Sequence, residues 1–366
     1  MTFLPPFRAD HVGSLLRPKE LSAARKEWRE GLNTAEQLRS IEDNHILEAV
    51  KKQEEIGLKG ITDGEYRRDY WHLDFMWNFD GVIPSHDIYT NRFHGVEFSA
   101  RAAEISDRVS YPKNGIMLDH FKFLTKSVKE TAKFTIPSAA QFRHREGVRL
   151  ANTNAYTDLN EFWDDIGKSY NRAVLAFAEL GCKYIQIDDV NSALLCDPII
   201  RAGFEKYGGD PSQMLDVNIE VNNAAFENRP DDMRATVHLC RGNFQSTYAG
   251  RGGYEPIAEK YLVKMNVNGF FMEFDDDRSG DFAPLRFLPK DKYVVIGIMT
   301  SKNPILETKE ELKRRIDAAA KYIPLEQICI SPQCGFASTK EGNKLSEENQ
   351  WRKLERLVEV ADEVWG

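Results

Sequence analysis

His238 and Cys240 are separated by one residue in the stretch TVHLCRGNF. The β-branched and apolar residues around them favour a β-strand, and the Gly-Asn pair that follows favours a turn directly after it. Because side chains alternate between the two faces of a strand, the imidazole and the thiol are predicted to share one face. Such a pair at a strand end could ligate a metal ion or take part in nucleophilic chemistry.

Other polar side chains also stand at the ends of predicted strands. In a barrel of parallel strands, chemistry collects at the carboxyl ends of the strands, where these side chains would meet. Two thiols, one imidazole and one carboxylate are a common ligand set for zinc. The predicted strand-end residues are Ser14, Glu65, Asp188 with Asp189, His238, Cys240, Glu273 and Cys334, of which the last four form the candidate zinc set.

Each member of the candidate zinc set also has a structural interpretation. His238 could be a core histidine with satisfied hydrogen bonds, and Cys240 could serve only in packing. Glu273 could form an ion pair with Arg278, and Cys334 could be a turn residue. From spacing alone, a His-x-Cys pair with a distant Glu and Cys is a weak metal pattern, so these alternatives stay open.

The five cysteines do not form the pattern of a disulfide framework, because they are odd in number and sparse in a chain of 366 residues. Cys182 and Cys196 fall outside the strand ends, and Cys329 lies inside a predicted strand. We therefore expect these three to be structural.

Short apolar runs alternate with long amphipathic segments along the chain. Helical patterns include 34–56, opened by a capping box of Thr34 and Gln37, and 158–180. Eight strands mostly separated by helices predict parallel βα units and a closed (β/α)₈ barrel of the TIM type. An open doubly wound sheet is the alternative, but no Gly-rich phosphate turn follows an early strand. The predicted strands are 9–14, 60–65, 133–138, 184–189, 235–240, 270–274, 293–299 and 328–332.

The spacing after the second predicted strand is unusually long and indicates an insertion over approximately 66–132. It contains the aromatic-rich YRRDYWHLDFMWNFDG and then the alternating RFHGVEFSARAAEI, which predicts a hairpin near the barrel mouth. No repeat, low-complexity tract or linker divides the chain, so 1–366 is predicted to be one barrel domain.

The composition restricts the class of protein. A formal charge of −8 and the lack of a dense Lys/Arg stripe argue against a nucleic-acid partner. No apolar run approaches the ~20 residues of a membrane span, and the N-terminus lacks the pattern of a signal peptide. We therefore expect a cytoplasmic protein with no membrane partner.

Six stretches in the same order resemble the catalytic C-terminal barrel of cobalamin-independent methionine synthase, and resemble its short single-barrel bacterial relatives more closely. They are ADHVGSLLRP, TDGEYRR, YIQIDD, VHLC, the Glu of MEF, and IPLEQICISPQCG. The resemblance covers nearly the whole chain. It implies a methyltransferase like 5-methyltetrahydropteroyltriglutamate–homocysteine S-methyltransferase, with Zn²⁺ held by His238, Cys240, Glu273 and Cys334.

The resemblance also implies an amino-acid site. In the family, the turn after the first strand, the Glu after the second and the Asp after the fourth hold the amino-acid substrate. Those positions fall here on Val12, Gly13 and Ser14, on Glu65, and on Asp188.

The departures from the family concern the half of the site that binds folate. The second barrel of the full-length synthase is absent, and the stretch 297–301 lacks the histidine that the family places as a proton donor. A Trp that meets the pterin is missing from IPSAAQFRHRE, and Leu194 replaces a Glu. The resemblance therefore implies the zinc and amino-acid halves of the site, and leaves the methyl donor open.

The predicted function is a zinc-dependent methyl transfer to the thiol of homocysteine, which gives methionine. The donor could be a methylfolate, a methylcorrinoid or another carrier, and a methyl-carrier protein is a candidate partner. One alternative is an alkyl transferase for another thiol or another electrophile, such as an epoxide. A metal-free decarboxylase-like lyase and a non-catalytic zinc-storage protein are the others.

The aromatic side chains of the insertion are predicted either to line the donor pocket or to form a plain hydrophobic lid or oligomer contact; they are Tyr70, Trp71, Phe75, Trp77 and Phe79.

Overall fold

A computed structural model of the chain describes residues 4–143, 148–150 and 155–366, together with their side chains except those of residues 92, 143 and 148–150. The helices are α1 (Lys19–Arg29), α2 (Ala35–Glu55), α3 (Leu73–Met76), α4 (Leu118–Ser127), α5 (Leu159–Glu179), α6 (Val190–Leu194), α7 (Pro198–Lys206), α8 (Pro211–Ala225), α9 (Glu255–Lys264), α10 (Lys309–Ala319) and α11 (Glu347–Trp365). The strands are β1 (Gly60–Ile61), β2 (Asp80–Phe93), β3 (Val96–Ser110), β4 (Thr131–Pro137), β5 (Val148–Leu150), β6 (Tyr184–Asp188), β7 (Arg234–Leu239), β8 (Gly269–Glu273), β9 (Tyr293–Met299) and β10 (Ile328–Pro332).

The central sheet is parallel throughout and follows the order β1-β4-β6-β7-β8-β9-β10. Strands β6, β8 and β10 are buried along their whole length. Their sequences are mostly apolar because both faces of a parallel sheet of this kind are covered by other parts of the protein. All carboxyl ends of these strands therefore lie at one edge of the sheet.

The segment 8–14 lies between the two edge strands, β10 and β1. The Ile330 amide donates to the Arg8 carbonyl at 2.8 Å, and the Asp10 amide donates to the Ile330 carbonyl at 3.0 Å. On the other side, the Leu15 amide donates to the Gly64 carbonyl at 3.0 Å. We call this segment, with its two flanking strands, the seam of the sheet.

The structure confirms the α/β class and corrects its details. The described residues contain seven parallel strands in place of the eight predicted. Segment 9–14 forms only one bridge, between Ala9 and Ile330, and the strand predicted over 60–65 is reduced to β1. Gly13 and Gly64 explain both differences, since their positive φ angles of 139° and 66° turn the chain out of the extended conformation.

The insertion contains the predicted hairpin, but the hairpin is longer than the sequence pattern suggested. Strands β2 and β3 pair antiparallel over 80–110, and β5 adds a short parallel strand to make a separate three-stranded sheet. The prediction covered only 92–105. Gly81 and Pro84, which are unfavourable inside strands, hid the first half, where the register shifts between Pro84 and Ile88.

The helix predictions are confirmed at their caps. The Thr34 side chain accepts from the Gln37 amide, and the Gln37 side chain accepts from the Thr34 amide, which is a complete capping box for α2. Helix α5 occupies Leu159–Glu179 against the predicted 158–180. Of the apolar residues predicted to face inward, Leu159 is exposed and the others are buried, namely Phe162, Ile166, Tyr170, Val174 and Phe177. In the described part of the chain, no helix combines the length and apolar character that crossing a bilayer requires.

A buried ion pair lies inside the sheet beneath its carboxyl edge. The Lys133 ammonium is 3.0 Å from the Asp10 carboxylate, and both side chains are fully buried. Tyr184 donates its hydroxyl to the same carboxylate at 2.8 Å. The Lys133 ammonium also lies 4.0 Å from the centre of the Phe271 ring. This pair ties the segment 8–14 to strands β4 and β6.

Candidate metal centre and adjoining cavity

The register of the sheet brings the predicted strand-end residues together. Asp188 is the last residue of β6 and pairs with His238 near the end of β7. Cys240 follows β7 directly, and Glu273 is the last residue of β8. Cys334 stands two residues beyond the end of β10. Four separate strands thus deliver these side chains to one edge.

The four predicted ligands form one buried cluster. One ligand atom from each of His238, Cys240, Glu273 and Cys334 can be chosen so that all lie within 4.8 Å of one another. The two sulfur atoms are 3.4 Å apart. Tetrahedral zinc with Zn–S bonds of about 2.3 Å would separate two sulfur ligands by roughly 3.8 Å, so the observed spacing is close to that of a common ion.

His238 supplies the observation that bears most directly on a metal. Both nitrogen atoms of its ring are buried and have no hydrogen-bond partner among the described residues. A buried polar atom without a partner costs about 1–3 kcal/mol, which a coordinated cation would offset. A satisfied core histidine, the structural alternative for this residue, is therefore not what the fold contains.

Glu273 is held in its ionised form by surrounding cations. The Arg241 backbone amide donates to Oε1 at 2.8 Å, and the Arg278 guanidinium donates to Oε2 at 2.7 Å. Burial alone would raise the pKa of Glu273, but Lys302, Arg278 and Arg241 outweigh it and lower the pKa to about 2. The predicted alternative, an ion pair with Arg278, is thus present together with the cluster. Each carboxylate oxygen still has a second lone pair for a metal.

The two cysteines favour one shared negative charge. The contact between the sulfur atoms raises the pKa of Cys240 well above its usual value and lowers the pKa of Cys334 well below it. The Gly242 amide also donates to the Cys240 sulfur at 3.3 Å. Thiolate is the form of cysteine that binds metal, so the donor set fits a soft, tetrahedral cation.

Glu65 lies in a tight turn just after β1, with a φ angle of 59°. Its Oε1 accepts from the Thr135 hydroxyl at 2.7 Å, and the Arg68 guanidinium lies 3.8 Å away. Its Oε2 is buried without a partner among the described residues. The left-handed backbone costs about 1–3 kcal/mol in a non-glycine residue, which is typical of functional positions.

Asp188 stands between Glu65 and the ligand cluster. Its Oδ1 accepts from the Gln186 amide at 2.8 Å. Burial raises the pKa of Asp188 to about 7, and repulsion from Glu65 acts in the same direction, while attraction to His238 opposes both. Burial also raises the pKa of Glu65, so both carboxyl groups lie in a buried region where a cationic partner would stabilise their ionised forms.

Ser14 and the turn that carries Cys334 approach each other closely. A Cβ atom at Gly335 would lie 2.0 Å from the Ser14 hydroxyl oxygen, so only glycine fits next to Cys334. The Phe336 amide donates to the Ser14 carbonyl at 2.9 Å. Ser301, in the stretch where the family carries its histidine, donates its hydroxyl to the Gly335 carbonyl at 3.0 Å. Two loops therefore fix the position of the Cys334 turn.

A cavity that opens to solvent joins these residues. Of the predicted site residues, its lining includes Val12, Ser14, Glu65, Asp188, His238, Cys240 and Cys334. Gly13 and Glu273 are not in the lining. Gly13 allows close approach to Thr135, and Glu273 stands behind the sulfur atoms. Most of the predicted site residues therefore lie around one cavity.

The aromatic part of the cavity was only partly predicted. Trp71 lines it, but Phe75 and Phe79 pack in the core against Tyr170. Tyr70 and Trp77 pack against each other outside the lining. The aromatic residues that the prediction missed are Tyr89, Phe93, Phe98 and Phe244. Their alternation along the hairpin was the available signal, but it does not say which face covers the barrel mouth.

Leu194, which stands where the resemblance would place a Glu, lines the cavity. Together with Val190 it packs against Cys240 and Cys334, and Trp71 contacts the same group. Apolar side chains thus stand beside the sulfur atoms where the resemblance would place a carboxylate. Part of the stretch that lacks the pterin-facing Trp, residues 144–146, lies outside the described residues.

The parallel sheet with a thiol-rich cluster of candidate ligands at its carboxyl edge is the architecture with which known proteins are compared. A family model described as "Cobalamin-independent synthase, Catalytic domain" matches residues 146–363. The chain belongs to this family of cobalamin-independent methionine-synthase-like methyltransferases, which confirms the predicted resemblance.

Individual relatives agree with the family assignment. The protein YxjH of Bacillus subtilis, described as uncharacterized, is 44% identical over 98% of this chain and 95% of its own. A candidate vitamin-B12-independent methionine synthase from Listeria monocytogenes has a solved structure with a TM-score of 0.80 and 34% identity, and the match covers 100% of both chains. A B12-independent methionine synthase from Shewanella, solved with selenomethionine, has a TM-score of 0.76 at 20% identity and covers 98% of this chain and 97% of its own.

Proposed function

We propose that the protein is a zinc-dependent methyltransferase that methylates the thiol of homocysteine to give methionine. The observation that carries the proposal is the buried cluster of four ligand atoms within 4.8 Å, which contains a histidine with no hydrogen-bond partner among the described residues. The cluster opens onto a cavity that also holds Glu65 and Asp188. Family membership supports the methyltransferase class.

The proposed ligands of the zinc ion are His238, Cys240, Glu273 and Cys334. Zinc bound there would hold the substrate sulfur as a nucleophilic thiolate, since coordination to Zn²⁺ deprotonates a thiol. Arg278 and the Arg241 amide orient the Glu273 carboxylate toward the cluster. Val190 and Leu194 pack against the sulfur atoms and are proposed to limit the access of water to them. Exclusion of water strengthens every electrostatic interaction at the site.

The amino-acid part of the substrate is proposed to lie between the segment 12–14 and the strand ends. Glu65 Oε2 is a buried acceptor without a partner among the described residues, and Asp188 lies beside it. An ammonium group supplies the donors and the positive charge that these carboxylates require. The Ser14 hydroxyl lies on the same wall and is proposed to donate to the substrate carboxylate.

We further propose that residues 1–366 act as one catalytic domain. The family model begins at residue 146, yet Ser14 and Glu65 lie before that point and line the same cavity as His238. A site that needs both parts of the chain does not divide between two independent domains.

Two other functions are less well supported. A metal-free decarboxylase would have no use for two cysteines 3.4 Å apart beside an unpartnered histidine. A zinc store would not need a cavity with unpaired acceptors next to the metal. An alkyl transferase acting on another thiol or on an epoxide would use the same proposed metal centre. It would differ from the proposed enzyme only in its substrate.

The proposal is tested by elemental analysis and by a product assay. We expect about one zinc per purified chain and methionine formation from homocysteine when a methyl donor is supplied. Metal-free protein that converts a substrate would favour the decarboxylase. Alkylation of a different thiol, with homocysteine unreactive, would favour the other transferase.

Glu65→Gln is expected to weaken homocysteine binding by about 10–100-fold, because a hydrogen bond to a charged group contributes about 1.5–3 kcal/mol. Zinc content should stay unchanged. The comparison ligand is 4-mercaptobutyrate, which keeps the thiol and carboxylate and lacks the ammonium group. It should bind the wild type and the variant alike. Equal losses for both thiols would show that Glu65 does not recognise the ammonium group. Glu130→Gln serves as a surface control, because Glu130 forms an exposed ion pair with Lys59.

A further inference from the structure

The side of the cavity away from Ser14 and Glu65 is built from aromatic rings of the hairpin. Phe98 lies at its centre, with ring centroids 5.9 Å from Tyr89, 6.5 Å from Phe93 and 5.3 Å from Phe244. The interplanar angles are 64°, 75° and 78°, so neighbouring rings stand nearly perpendicular. We call these four residues the aromatic wall. Rings set at such angles surround a small volume with π faces and edges.

Trp71 connects the aromatic wall to the sulfur atoms. Its ring lines the cavity, and it packs against the group formed by Leu194, Cys240 and Cys334. A ligand that rests against the aromatic wall would therefore lie in the same cavity as Cys240 and Cys334. Leu194 and Val190, which pack against the two cysteines, also line this cavity.

The polar groups of the cavity are mainly acceptors. The described side chains of its lining include the carboxyl groups of Glu65 and Asp188, which the proposed function assigns to the ammonium group of homocysteine, and no lysine or arginine. Gln141 Oε1 and Asn243 Oδ1, also in the lining, are buried without partners among the described residues, and both are acceptors. The described part of the lining therefore offers acceptor atoms to a cationic ligand and no lysine or arginine to an anionic one.

From the aromatic wall and the acceptor atoms of the lining together we propose that the methyl donor is a sulfonium compound, in which the methyl group is attached to a positively charged sulfur. This inference rests on the proposed function and names its second substrate. A cation within about 6 Å of an aromatic face is attracted by the ring quadrupole, and alkylated cations are a common ligand of such sites.

The transfer balances without a further reactant. The substrate thiol loses its proton to solvent as it becomes a thiolate. Its sulfur then forms a bond to the methyl carbon while the bond from that carbon to the sulfonium sulfur breaks. The electron pair of the broken bond stays on the departing sulfur, which leaves as a neutral thioether. A neutral leaving group of this kind needs no acid to protonate it.

The test is steady-state methionine formation by the zinc-loaded full chain with homocysteine and four separate donors. They are trimethylsulfonium, S-methylmethionine, monoglutamyl 5-methyltetrahydrofolate and methylcobalamin. We expect kcat/KM for one of the sulfonium donors to exceed that of the other two classes by at least about tenfold. Faster turnover of methyltetrahydrofolate or methylcobalamin would overturn the inference and leave the proposed methyltransferase intact. No methylation of homocysteine by any donor would overturn both.

Variants of the aromatic wall separate binding of the cation from general damage. Phe93→Leu and Phe98→Leu keep apolar bulk and remove the ring, and each should lower kcat/KM for the sulfonium by about tenfold. The KM for homocysteine should change little. Phe93 is half-buried and Phe98 is buried, so the first variant keeps the test valid if the second folds poorly.

Ile88→Ala is the matched control and should leave turnover unchanged. Ile88 lies on the same strand as Phe93, is 69% exposed and does not line the cavity. Undiminished sulfonium turnover in both leucine variants would contradict the role of the aromatic wall.

Discussion

Replacing either cluster cysteine, as Cys240→Ser or Cys334→Ser, is expected to lower zinc affinity by more than 100-fold and to abolish most methyl transfer. A serine hydroxyl is not deprotonated near neutral pH and is a poor ligand for zinc. Even outer partners of a zinc site cost about 10–100-fold when removed, so loss of a direct ligand should cost more. Elemental analysis after dialysis and the methionine assay measure the two effects.

The fold should survive either cysteine substitution. The cluster lies at the edge of a sheet whose strands are buried and paired independently of it. Cys182→Ser provides the matched control, since Cys182 is also buried but donates its thiol to the Tyr184 carbonyl far along the chain from the cluster. This control should keep its zinc and its activity. Full zinc occupancy in Cys240→Ser or Cys334→Ser would remove that residue from the ligand set.

The second large effect concerns stability. Lys133→Met is expected to lower the free energy of unfolding by about 3–5 kcal/mol, because breaking a fully buried ion pair leaves the other charge without compensation. The charge left without compensation belongs to Asp10, which would keep its hydrogen bond from the Tyr184 hydroxyl and lose its cationic partner. Urea denaturation followed by circular dichroism gives the difference. The seam should be weakened most, since Asp10 belongs to it.

Lys59→Met is the matched control for that measurement. Lys59 pairs with Glu130 at 2.8 Å, but its side chain is 55% exposed. Exposed pairs contribute about 0–1 kcal/mol, so this variant should unfold nearly like the wild type. Similar losses in both variants would mean that the methionine side chain, and not the buried charge, sets the effect in Lys133→Met.

The sequence predicted the interior of the molecule better than its rim. Strands β6 to β10 are short continuous apolar runs, and their predicted bounds agree with the structure within a few residues. In a chain with intervening helices, such runs favour a buried parallel sheet. Residues 9–14 and 60–65 carry glycines that bend the chain, so their tertiary contacts decided their conformation.

The ligand cluster was predictable because residue type and strand position act together. His238 and Glu273 are polar residues at the ends of apolar runs, and the parallel sheet places all such ends at one edge. The aromatic wall was not predictable in the same way. Phe93 and Phe98 reach the cavity only because the hairpin folds over the barrel mouth, and no local pattern fixes that direction. The contact between Phe98 and Phe244 joins residues that are far apart in sequence.

The seam gives the site a dynamic property of its own. Elsewhere the sheet is joined by continuous ladders, but segment 8–14 is attached to β10 through a single bridge and a few hydrogen bonds. Local opening of a fold begins where such attachments are fewest. The proposed amino-acid substrate would touch Ser14 and Glu65 on one side of this joint and the cluster that includes Cys334 on the other. Binding of the substrate would therefore hold the seam closed, because a ligand that binds only the closed form shifts the equilibrium away from opening.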